Sequence, residues 1–198
     1  MNMPEQTLQR LLDGNRRFAE GKPALDESEM RRKMLVEKQD PFAIIFGCAD
    51  SRVPPELVFD QGLGELFVIR TAGEVLDRAV LGTLEFGVLE LKIPLIVVLG
   101  HQNCAAVKTA RETLRKHAKA NADIEYLVEE LALAVEIGDE QGNNDLDKED
   151  QAVRGQVISD VVRLKRLPAL KPALEKGELK VVGGWYDLET GLVEIIIE

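Results

Sequence analysis

The sequence predicts an α/β fold: a single domain with a mainly parallel central sheet, four parallel strands plus a C-terminal antiparallel strand, flanked by helices and preceded by an N-terminal helical arm. Three observations carry this. Runs that are apolar at every position (AIIF at 43–46, LFVI at 66–69, LIVVL at 95–99) recur with helical stretches between them, and strands buried on both faces belong to parallel sheets. The end of the chain breaks the alternation, since KVVGGWY and LVEIII are joined only by the turn DLETG, as in an antiparallel pair. Finally, 198 residues suffice for one core but not for two, and no internal repeat or low-complexity tract divides the chain.

The elements follow in order. Residues from Pro4 to about 20 form an amphipathic helix with Leu8, Leu11, Leu12 and Phe18 on one face and Gly21 at its end. A second helical stretch runs from Ser28 to Lys38. Neither helix adjoins a strand, so residues 1–38 are set apart as an arm from a core of 39–198. The arm is open either to packing on another subunit or to lying as a layer on its own chain. Phe42 to Gly47 is the first strand, and Pro54 and Pro55 open a short helix reaching Phe59. Glu65 to Arg70 is the second strand, Leu76 to Leu91 a helix, and Pro94 hands over to the third strand. Helices are then expected from His101 to Lys119, from Asp123 to Ile137 and from Gln151 to Leu167, with a short one before Gly177. The segment GDEQGNNDLDKED, residues 138–150, is polar and rich in Gly and Asn and is expected to be a loop.

Composition narrows the function. A net charge of −10 disfavours nucleic acid and anionic membranes as partners. The N-terminal MNMPEQTLQR lacks a basic-then-apolar leader pattern, and no apolar run approaches a membrane span. The expected location is the cytoplasm, where the two cysteines remain reduced rather than form a disulfide.

The chemistry is expected at two strand ends. The first strand stops at Gly47 and presents Cys48, Asp50 and Arg52; the third stops at Gly100 and presents His101 and Cys104. Residues just past the carboxyl ends of parallel strands line the ligand crevice, so neighbouring strands would bring four candidate ligands together. Two thiolates, an imidazole and a carboxylate suit tetrahedral zinc and not magnesium or calcium, which want oxygens. A catalytic zinc keeps one position for water, and the carboxylate is the most exchangeable of the four ligands. Arg52 is suited to hold Asp50 in a bidentate pair and so vacate that position. The competing reading is an ordinary Asp–Arg pair beside a structural zinc.

The stretch CADSRVPPELVFDQGLGELFVIRTAG, followed by PLIVVLGHQNC, closely resembles the beta-class carbonic anhydrases, and the resemblance extends from the N-terminal helices to WYDL. It implies Zn2+ held by Cys48, His101 and Cys104, with Asp50 either the fourth ligand or paired to Arg52 as a catalytic dyad. It implies attack of zinc-bound hydroxide on CO2, release of bicarbonate and proton transfer to buffer, in a homodimer or homotetramer whose N-terminal helices reach across the partner. By the same resemblance Gln39, Phe67 and Phe86 line the substrate pocket, Phe86 standing where plant-type members have tyrosine.

Two departures matter. Ala105 follows Cys104 where the family usually has glycine; its N–H still serves the substrate if its φ is negative, and a positive φ would bring strain. Members inhibited by non-catalytic bicarbonate have a tryptophan three residues before the first cysteine, where this chain has Ile45, although Arg70 remains. An active-type site is therefore expected, with Asp50 on Arg52 near neutral pH. Hydrolysis of carbonyl sulfide or carbon disulfide, and a silent zinc-binding interaction module, are the alternatives. His117 is expected on a solvated helix surface, Trp185 and Tyr186 in packing, and Ser51 lacks a free histidine to act as its base.

Overall fold

The computed structural model describes residues 3–198. Its five strands are β1 (Ala43–Cys48), β2 (Leu66–Thr71), β3 (Leu95–His101), β4 (Lys180–Tyr186) and β5 (Val193–Ile197), arranged β2-β1-β3-β4-β5. β1 is parallel to both β2 and β3, β3 is parallel to β4, and β5 returns antiparallel to β4. From β1 the chain moves to one side for β2, then crosses to the other side for β3. That reversal opens a crevice between the carboxyl ends of β1 and β3, where Cys48 and His101 lie.

Every residue of β1 and β3 is buried, as fits strands covered on both faces. One face carries Ile44, Phe46, Ile96 and Val98 against α4 (Arg78–Leu89) and α7 (Asp145–Lys165). The other carries Ile45, Val97 and Leu99 against α1 (Met3–Ala19) and α3 (Pro55–Val58). Of the expected arm, α1 is thus a layer of this chain's own core. Asn15 ties it down, donating to the carbonyls of Val58 and Gly191 at 3.0 and 2.8 Å and accepting from the Val193 N–H at 2.8 Å. α2 (Glu29–Met34), capped by Ser28, buries none of its residues.

Residues 138–150, expected as a loop, are mostly helical. α6 (Ile124–Gln141) runs on past Ile137, and α7 begins at Asp145. The side chain of Asn144 accepts from the Asp147 N–H, and Asp145 and Asp147 stand in the first turn of α7. Polar residues that read as loop material act here as a helix start: a capping amide followed by acids at the positive end of the helix dipole. Arg111 of α5 (Ala105–Arg115) pins the start, with Nε 2.6 Å from Asp139 and Nη2 2.9 Å from Asp145. α5 is also shorter than expected, since residues 101–104 form the end of β3 and a turn. A short α8 (Lys171–Glu175) precedes β4. No helix among the described residues is long and apolar enough to cross a membrane.

Gly100 lets α7 come close. A Cβ there would meet Val153 and Val157 of α7 at 2.6 and 2.7 Å. The helix therefore lies directly on β3 one residue before His101.

Candidate metal centre

Cys48 and His101 are the last residues of β1 and β3, and Cys104 caps the start of α5. All three are buried, and their ligand atoms lie within 4.8 Å of one another. The two Sγ atoms are 3.9 Å apart; two sulfurs each about 2.3 Å from one tetrahedral ion would be separated by about 3.8 Å. The Nδ1–H of His101 donates to the Gln102 carbonyl at 2.9 Å. This tautomer leaves Nε2 bare, and among the described residues that buried atom has no partner. Two free thiols, an orphaned imidazole nitrogen and a tetrahedral edge fit zinc.

The first thiol proton leaves readily. The Cys104 thiol donates to Cys48, and the amides of Gly73 and Asp50 add to this, so the Cys48 pKa falls below the usual thiol range despite burial. Cys104 is pushed up by donating to Cys48 and by burial, so the second proton stays until a cation replaces it. Gly73 supplies its amide, 3.3 Å from Cys48 Sγ, from a turn with φ 67°. Glycine adopts that conformation without the clash a side chain would bring.

Asp50 lies beside this triad and is held away from it. Arg52 Nε donates to Oδ1 at 3.0 Å and Nη2 to Oδ2 at 2.8 Å, and the Arg52 amide adds a third bond at 2.9 Å. The guanidinium lowers the carboxyl pKa to about 2. Asp50 Oδ2 is 4.0 Å from His101 Nε2, longer than the roughly 3.4 Å edge that two ligands at 2.0–2.1 Å would make. Arg70 of β2 fixes the loop beneath, donating from Nε to the Cys48 carbonyl at 2.8 Å and from Nη2 to the Asp50 carbonyl.

The chain thus brings together Cys48, Asp50, Arg52, His101, Cys104 and Ala105. Ala105 is the first helical residue of α5 and lies outside the positive-φ set; the left-handed residue is Asn103, at φ 54°. Gln39, Phe67 and Phe86 are elsewhere. Gln39 is exposed in the link before β1. Phe67 pairs with Ile44 while Cys48 pairs with Thr71, and four residues of strand span roughly 13 Å. Phe86 is 47% exposed on α4, its ring 6.4 Å from that of Phe67. Trp185 is buried beneath the Arg154 guanidinium, 4.2 Å away. Sequence reading missed Gly73 and Asn103 as parts of the site. Their signals are a glycine after β2 and an asparagine at a turn, two residue types that tolerate positive φ.

Residues 43–193 match the family model described as carbonic anhydrase. The chain belongs to the carbonic anhydrase family. It is 41% identical over 187 residues to the carbonic anhydrase of Mycolicibacterium smegmatis, covering 93% of this chain and 89% of that one. To the carbonic anhydrase of Pseudomonas aeruginosa it is 30% identical over 203 residues, covering 94% and 86%. Among solved structures it resembles the Coccomyxa beta-carbonic anhydrase in complex with acetazolamide, with TM-score 0.75 and 29% identity over 96% of this chain and 86% of that one. This member of the family carries its candidate ligands at the switch point of the sheet.

Proposed function

We propose that this protein is a zinc-dependent carbonate dehydratase, interconverting CO2 with bicarbonate and a proton. One observation carries the reading: a buried Cys48–His101–Cys104 triad beside which the Asp50 carboxylate is turned onto Arg52. A structural site closes its fourth position with a permanent ligand; here the candidate for it is engaged by an arginine. Zinc bound there supplies Lewis-acid activation of water near neutral pH.

The chain's own residues do the rest. Cys48 and Cys104 provide the charge that holds a divalent cation, and His101 presents Nε2 because Nδ1 is committed to Gln102. Asp50, kept ionised by Arg52, offers an acceptor for a proton on a neighbouring oxygen. Ala105 is exposed at the start of α5, where the positive end of the helix dipole suits an anionic product. Stopped-flow CO2 hydration at pH 7 to 8.5, with metal content measured on the same sample, tests this. About one zinc per chain with fast hydration is expected; full zinc without hydration would overturn it.

A homodimer or homotetramer belongs to the same proposal. Phe67 and Phe86 sit far from their own chain's triad, so they reach a substrate pocket only at the metal centre of a second copy. A fully active monomer in sedimentation would sink this. Cytoplasmic residence is inferred from the two free thiols, which a reducing compartment preserves; fractionation of the cells checks it.

A further inference from the structure

We propose that Asp150 is a positioning residue for the metal centre, acting on the ligand loop 101–104 through the backbone of Asn103. This rests on the reading of His101 and Cys104 as ligands. Asn103 lies between them with a left-handed backbone, φ 54°. The two peptide groups flanking its Cα are each held by a charged side chain. Its N–H donates to Asp150 Oδ1 at 3.3 Å, and its carbonyl accepts from Arg52 Nη2 at 2.9 Å. Fixing both peptide planes fixes the φ and ψ of the residue between them, and so the angle at which β3 and its His101 hand over to Cys104 and α5.

Nothing else engages the Asp150 carboxylate directly: it makes no ion pair among the described residues, although Arg154, Asp147 and Asp187 shape the field around it. A partly buried carboxylate that serves one backbone amide is a supporting group of the kind that orients ligands. It stands on the first turns of α7, in the stretch that reads as a loop by composition, and the close packing of α7 on Gly100 sets its height above the loop. The Arg52 that grips the Asn103 carbonyl also grips Asp50. Asp150 therefore stabilises, through one residue, the arrangement that keeps the carboxylate off the metal position.

The test uses the full chain loaded with Co2+, whose visible spectrum reports ligand geometry. In D150A the cobalt spectrum is expected to change, metal loss to a chelator to accelerate about tenfold, and hydration to lose kcat with KM within about twofold. D150N keeps an acceptor oxygen at the same reach and is expected to stay within about threefold of the parent in both rates. D150S, too short to reach the Asn103 amide, should behave as D150A and serves if D150A does not fold. An unchanged spectrum and chelator rate in D150A or D150S, with the parent binding cobalt, would overturn the positioning role alone. A parent that binds neither cobalt nor zinc would overturn the metal reading and this role with it.

Discussion

Arg52 and Asp50 meet through two parallel bonds of 3.0 and 2.8 Å, so the carboxylate that follows Cys48 by two residues is already engaged. The pair is partly exposed, with the Arg52 side chain at 48%, and contributes no more than about 1 kcal/mol to stability. That contribution is present above pH 4 and fades as pH falls toward the Asp50 pKa of about 2. Its larger effect is on turnover. R52A and D50A should each lower CO2 hydration on the order of 100-fold while keeping most of the zinc, measured by stopped flow and metal analysis. Loss of zinc in proportion to activity would show that the pair serves binding instead.

Metal affinity carries its own pH signature. Cys48 gives up its proton easily and Cys104 does not, so binding releases about one thiol proton near neutrality. Affinity should therefore rise about tenfold per pH unit between pH 6.5 and 8.5 in a competition titration with a chelator. A hundredfold rise per unit would mean that both thiols are protonated in the free protein.

Asp160 makes stability depend on pH. Burial on α7 raises its pKa to about 7 from the ordinary aspartate value of 3.8, against the pull of Arg163 and Gln156. The unfolded chain ionises this group first, so stability is full below about pH 4 and declines as pH rises toward 7, by at most about 4 kcal/mol. D160N removes that slope. Urea melts should show the variant gaining on the parent between pH 4 and 8, and parallel curves would refute the assignment.

Arg111 is buried among Asp139, Asp145 and Glu149, joining α5 to α6 and α7. R111A removes the buried stem and its bonds to Asp139 and Asp145, although Asp145 keeps Arg115, and should cost about 2 kcal/mol. R111M keeps the apolar stem and should fall no further. The midpoint of denaturation reads both.

Much of the site was legible because its ligands sit where apolar runs stop. Cys48 and His101 each end a strand buried on both faces, and a strand of that kind is visible in composition alone. The segment before α7 was not legible. Asn144, Asp145 and Asp147 are residues that turns and helix starts share, and only the tertiary contact of Arg111 with Asp139 and Asp145 decides between them. The same ambiguity concealed Asp150. Asn103 was hidden for a different reason: its φ is imposed by Arg52 and by Asp150, 51 and 47 positions away, and no local pattern encodes that.

The pairing of β1 with β3, Gly47 beside Leu99, has a consequence for refolding. Side chains alternate across a strand, so a slip of one residue would send Cys48 or His101 to the opposite face. A chain can be compact and rich in secondary structure with that slip and still have no triad. The colour of the cobalt form would then count correctly threaded molecules one by one, and separate them from the merely collapsed.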